Sequence, residues 1–213
     1  GGSWMFRSNP DFANSDFYEW NYLCDNCYMD KMACVKVKLS EKAGCVAVSS
    51  RGESKIYWTA EPDRYCPFEL ECSPWRNVDN PGGKWNDVIW SEKWSKFFAV
   101  GTDSNNQGQV MFSNNMQNWI MVNNNAVQSV FEWTSITQDD ATGQLFVVSG
   151  DYGPGTTATK FMTSLDGGDT WVLGQMETPE DDNYPFVSLA YGNGAALALR
   201  NATFLAGDGL FEF

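Results

Sequence analysis

With 213 residues, 43% of them hydrophobic and 15% aromatic, the chain can bury a real core as one domain of ordinary size or two small ones. Its net charge of −13, without any basic cluster, argues against nucleic acid and anionic membrane as direct partners, because their phosphate fields would not attract such a surface. The complete lack of histidine excludes Ser-His-Asp and Cys-His catalysis, and no run approaches the roughly 18 apolar residues of an inserted membrane span.

The opening Gly1-Gly2-Ser3 reads as the start of a processed or excised segment, from which any targeting information would have been removed. Residues 1–31 form an irregular, aromatic-rich segment carrying Trp4, Phe6, Phe12, Phe17, Tyr18, Trp20, Tyr22 and Tyr28. Turn signals at Asn9-Pro10 and Asn14-Ser15-Asp16 break it. It is expected to drape over a core rather than to form a ligand cage, and a strand that closes the sheet array is a further role open to it.

From Lys31 onward the chain repeats. Four apolar runs end alike: Gly44–Ser50, Lys96–Gly101, Gln144–Gly150 and Gly194–Arg200. Each follows another strand candidate, at Cys34–Leu39, Asp87–Trp90, Trp133–Ile136 and Pro185–Ala190. Each precedes a third, at Lys55–Thr59, Gln109–Ser113, Lys160–Ser164 and Ala202–Ala206, and a fourth begins near Trp75, Trp119, Trp171 and Leu210-Phe211. Alternation and β-branched or aromatic enrichment predict strands throughout, with no convincing helix. The spacing of roughly 40–55 residues, with about four short strands per unit, is that of propeller blades. The predicted domain covers 32–213, in units of about 32–80, 84–125, 131–178 and 184–213.

Residues Ser164-Leu-Asp166-Gly-Gly168-Asp-Thr170-Trp171 punctuate the third unit. Ser164 and Asp166 are short side chains suited to bonding backbone N–H groups a few residues on, Gly167 and Gly168 supply positive φ, and Trp171 anchors the returning strand. Weakened copies stand at the same place in the other units. Ser113-Asn-Asn115 is followed by Trp119, Thr59-Ala-Glu61 by Trp75 after an insertion, and Ala206-Gly-Asp208-Gly209 lacks the Ser and the Trp.

This pattern resembles the Asp-box of bacterial-neuraminidase-repeat β-propellers. The resemblance covers the chain from about residue 32 to its end and implies an all-β fold, a small or partial propeller of about four four-stranded blades. Sialidases, sortilin-type receptors, a thylakoid photosystem-assembly factor and domains of phage tail fibres share the repeat, so it identifies architecture rather than activity. In those families the Asp-box lies away from the central site, which implies structural roles for Ser164, Asp166, Gly168, Thr170 and Trp171. Known rings are larger, so this array is expected to be closed by residues 1–31, completed by a neighbouring subunit, or part of a longer chain. Open edges favour assembly.

A sialidase would need three arginines on the substrate carboxylate, a Tyr–Glu nucleophile pair and an acid/base Asp. The arginines are only Arg7, Arg51, Arg64, Arg76 and Arg200, and no such constellation is assignable. A two-carboxylate glycosidase remains formally open, although no pair stands out. Cys24, Cys27, Cys34, Cys45, Cys66 and Cys72 all lie in the first third. An even, clustered count without a second Cys-x-x-Cys suits disulfides in an oxidising compartment better than zinc or free thiols. Acidic turns at Asp139-Asp140, Asp151, Asp166–Asp169 and Glu180–Asp182 match no complete calcium loop and read as solvated turns. Asn201-Ala-Thr203 is a glycosylation sequon.

The expectation is a non-enzymatic structural or adhesive module of an extracellular or surface assembly, without cofactor or resident metal. It would bind protein partners or itself through blade faces and loops. A carbohydrate-binding or glycoside-hydrolysing propeller and a photosystem-type assembly factor are the alternatives, with a glycan as a possible ligand.

Overall fold

The computed structural model describes residues 2–8, 18–25, 30–35, 44–50, 55–60, 75–78, 82–130, 132–150, 158–177, 186–200 and 210–212. The regular elements are strands but for one short turn of helix: β1 (Gly2–Ser8), β2 (Tyr18–Asp25), β3 (Lys31–Val35), β4 (Gly44–Val48), β5 (Ile56–Thr59), β6 (Arg76–Val78), β7 (Lys84–Ser91), β8 (Lys96–Thr102) and β9 (Gly108–Ser113). They continue with β10 (Ile120–Met121), β11 (Trp133–Gln138), β12 (Leu145–Ser149), β13 (Ala158–Ser164), β14 (Val172–Glu177), β15 (Phe186–Gly192), β16 (Ala195–Arg200) and β17 (Leu210–Glu212). A 3-10 turn at Val127–Ser129 stands among them, and no helix among the described residues is long and apolar enough to cross a membrane.

The strands form antiparallel sheets in chain order: sheet I (β3–β6), sheet II (β7–β10), sheet III (β11–β14) and sheet IV (β15–β17). Their first strands pack in succession, β3 on β7, β7 on β11 and β11 on β15. This is the architecture of a partial β-propeller. Sheet IV has three strands among the described residues rather than the expected four, because Leu210–Glu212 pairs directly with β16; residues 202–206 lie outside the described residues.

Two local expectations change. The N-terminal segment, read as irregular, contains the hairpin β1–β2, whose register opposes Trp4 with Tyr22 and Phe6 with Trp20. Its period-two aromatic pattern is a strand signal that turn residues between the arms obscure. Strand β3 starts at Lys31 rather than Cys34, because its register with β4 pairs Cys34 with Cys45 and Lys31 with Val48, and the Asp30 N–H donates to the Val48 carbonyl.

The second strands of the first three sheets are almost wholly buried on both faces, which is why they read as unbroken apolar runs rather than alternating ones. One face of each covers the next sheet. Val46 and Val48 pack with Trp85, Val88, Phe97, Ala99 and Met111. Phe98 and Val100 pack with Trp133, Ile136, Leu145, Val147 and Met162. Val148, flanked by Phe146, packs with Phe186, Leu189, Ala196 and Ala198.

Candidate functional site

The 164–171 turn uses nearly every polar atom of its motif to fold itself. The Ser164 hydroxyl donates to Asp166 Oδ1 (2.8 Å) and accepts from the Gly168 N–H (2.9 Å). Asp166 also accepts from the Thr170 N–H (2.9 Å) and the Thr170 hydroxyl (2.5 Å), and the Trp171 indole donates to the Gly168 carbonyl (3.0 Å). Gly167 and Gly168 sit at φ +74 and +88, and a Cβ on Gly168 would lie 2.7 Å from the Phe98 ring, so glycine answers both a conformational and a packing demand. Trp171 is buried between sheets II and III. From sheet II, Lys96 Nζ donates to the Gly167 carbonyl (3.1 Å), 3.9 Å from an Asp169 carboxylate oxygen.

The 113–119 turn repeats this scheme with asparagine. Ser113 Oγ donates to Asn115 Oδ1 (3.2 Å), Asn115 Oδ1 accepts from the Gln117 and Asn118 N–H groups, and the Trp119 indole donates to the Met116 carbonyl (3.0 Å). Met116 lies over Gly44 of sheet I, as Gly168 lies over Phe98. Each turn thus clamps its sheet onto the preceding one.

Burial works to raise the Asp166 carboxyl, but hydrogen bonds from Thr170 and Ser164 outweigh it and hold the group below the ordinary aspartate range. Its contribution to stability is therefore present above about pH 3.9 and is lost as pH falls through the depressed folded value. Asp166→Ala is expected to cost about 1 kcal/mol at neutral pH, after allowance for solvent screening. Asp166→Asn should cost less, as Asn115 shows that an amide oxygen closes this turn, and should remove the acid-side dependence. Chemical denaturation at pH 7 and pH 3 checks both.

A second polar system runs along the innermost strands. Register shifts at Trp85/Asp87, Trp133/Ser135 and Phe186/Ser188 leave Asn86, Thr134 and Val187 as extra residues at one level of β7, β11 and β15. Asn86 Nδ2 donates to the Trp133 carbonyl and to Glu132 Oε1, both at 2.8 Å. Thr134 Oγ1 lies 2.8 Å from the Phe186 carbonyl, the same latch one sheet on. Next to it, Asp87 Oδ2 accepts from Ser135 Oγ (2.7 Å) and the Ile136 N–H (3.1 Å), while Oδ1 accepts from the Val88 N–H (2.9 Å). Ser135 Oγ in turn accepts from the Leu189 N–H (3.1 Å), so one chain of hydrogen bonds crosses sheets II, III and IV.

Desolvation pushes the Asp87 carboxyl above its ordinary range, opposed by the Ser135, Ile136 and Val88 hydrogen bonds and the Lys31 charge. Its oxygens are committed to the fold, which makes it a structural carboxylate. Glu132 differs. It is half-buried where β11 begins, held by Asn86 across the sheet boundary. At this end β12 closes at Ser149, β13 opens at Ala158 and β14 closes at Glu177; Asp151 and Glu180-Asp-Asp182 lie outside the described residues. Sequence reasoning missed Glu132 and Asn86. The signal for Asn86 was a polar residue directly after the repeated aromatic (Trp85, Trp133) of an inner strand.

The other sequence candidates distribute as follows. Cys34 and Cys45 form a disulfide across β3 and β4. Cys24 falls in strand β2, whose side chains are not described, and Cys27, Cys66, Cys72 and Asn201 lie outside the described residues. Asp139 accepts from Ala141 N and Thr142 Oγ1 in its own turn, and no group of three or more metal-ligating side chains occurs among the described residues. Trp75, Trp85, Trp133 and Trp171 are buried, while Trp58, Trp90, Trp94 and Trp119 pack against the cores.

No protein-family model and no curated protein matches the chain. Among solved structures it is similar to that of a GH43_12 glycoside hydrolase retrieved from capybara gut metagenome, at 12% identity and a TM-score of 0.39. The match covers 87% of this chain and 38% of that one. The expectation of a non-enzyme is corrected. It rested on the lack of histidine and of a sialidase-type constellation, and glycoside hydrolysis by two carboxylates requires neither.

Proposed function

We propose that the chain is a carbohydrate-directed propeller domain whose working surface is the end of the sheets where the innermost strands begin. The observation that carries this reading is Glu132, a half-buried carboxylate fixed by the Asn86 amide at the boundary of two inner strands. The carboxylate and the Asn86 amide oxygen offer neighbouring acceptors to which sugar hydroxyls donate, both amide N–H bonds being committed to Glu132 Oε1 and the Trp133 carbonyl. The likeness to the GH43_12 structure has no part in this reading. The 164–171 turn and its asparagine copy are read as Asp-boxes on their bonding pattern, at the opposite end of the sheets. The Cys34–Cys45 disulfide supports an extracellular or otherwise oxidising compartment.

A glycan array with the native protein, followed by titration calorimetry on the best ligand, tests the reading. Glu132→Gln is expected to weaken binding by about tenfold or more, the loss of one charge-assisted hydrogen bond. Its thermal midpoint should stay near the native value, since the glutamine oxygen still accepts from Asn86. Chromogenic glycosides run alongside report turnover. An array without a single ligand would remove the proposal.

A further inference from the structure

Among the described residues no sheet packs on the outer face of sheet IV, although its sequence is that of a covered face. The register places Leu199 opposite Ser188, as Val148 stands opposite Ser135, Val100 opposite Asp87 and Val48 opposite Lys31. Two residues earlier, Leu197 takes the place of Phe146, Phe98 and Val46. In the first three sheets these pairs pack beneath the next sheet. Leu197 and Leu199 are instead 39% and 44% exposed, with Val187 beside them at 41%.

We infer that this face is a dimerisation surface, and that a second copy of the chain covers it about a two-fold axis. Two observations select that occupant. Val187 stands where Asn86 and Thr134 donate to the next inner strand's carbonyl, so sheet IV has lost the polar latch that a further regular blade would engage and presents the exposed apolar side chains of Val187, Leu197 and Leu199 there. A head-to-tail copy would need the opposite face of sheet I, but Cys45, Ala47 and Tyr57 are already buried within the chain. The arrangement left is isologous, leucine against leucine, where each contact occurs twice. The surface continues the series of sheet-to-sheet interfaces already described.

Sedimentation equilibrium on the native chain, Leu197→Glu and Leu199→Gln tests this. Both side chains are exposed in the single chain, so neither change disturbs its core. The native chain is expected to be a dimer at micromolar concentration. Each substitution should weaken association by roughly a hundredfold, because it acts on both halves of the interface, with far-UV circular dichroism unchanged. A native monomer would overturn the inference, as would a dimer indifferent to both substitutions. A native monomer in which Leu197→Glu strips amide protection from β1–β2 would instead assign the face to that hairpin, which also refutes the second copy.

Discussion

Trp133→Ala is expected to lower the stability of the fold by about 4 kcal/mol, the largest loss from any single truncation considered. The indole is fully buried at the boundary of sheets II and III, against Phe98, Val100 and Val110 on one side and Leu145, Val147 and Met162 on its own. Its Nε1 donates to the Val127 carbonyl at 2.7 Å, and Gly108 leaves the space it fills, since a Cβ there would lie 2.7 Å from Nε1. Alanine would therefore create a large cavity and strand a buried carbonyl. For a chain of this size the thermal midpoint should fall by roughly 8–16 °C. Trp133→Phe should recover much of the packing but not the hydrogen bond. A loss below about 1 kcal/mol would mean that the sheets do not pack across this boundary.

Asp87→Ala should cost about 3 kcal/mol, with a different signature. The substitution leaves Ser135 Oγ, Ile136 N–H and Val88 N–H without their acceptor in a buried site. Asp87→Asn should cost less, because its amide oxygen serves Ser135 and Ile136 while its NH2 group confronts the Val88 N–H. The pH dependence separates this carboxylate from Asp166. Since desolvation raises the folded pKa of Asp87, its contribution is fullest below the unfolded value of about 3.9 and declines as pH rises through the raised folded value. Asp166, held low by its turn, acts in the opposite sense. Stability measured from pH 3 to pH 7 should accordingly show the native chain losing part of its advantage over Asp87→Asn as pH rises. An advantage that grew with pH would contradict the assignment of Asp87 as a desolvated group.

Much of this architecture is legible in the sequence because the blade repeat is written in backbone-scale patterns. The run Phe97-Phe-Ala-Val-Gly101 is apolar at every position because sheets lie on both sides of β8. Ser164, Asp166, Gly168 and Trp171 are readable as a turn because a short polar side chain, a positive φ and a large ring each answer a local demand. What was not legible depended on contacts between units. Asp87 looked like one more acid in an acidic chain, and its partners Ser135 and Leu189 lie 48 and 54 residues further along successive steps. Glu132 and Asn86 meet across a sheet boundary that no local window spans. Conversely, the sequence of β16 concealed its exposure: Ala195–Leu199 reads like every other second strand, and only the structure shows that one face has no sheet upon it among the described residues.

The central claim is that sheets II, III and IV form one cooperative body, joined along their first strands by the relay from Asp87 through Ser135 to the Leu189 N–H. Native-state hydrogen exchange on Asp87→Asn and the native chain tests it most directly. The account predicts that protection falls together at Val88, Ile136 and Leu189 and along β8, β12 and β16. A loss confined to Val88 and Ile136, with Leu189 and β16 protected as in the native chain, would contradict it.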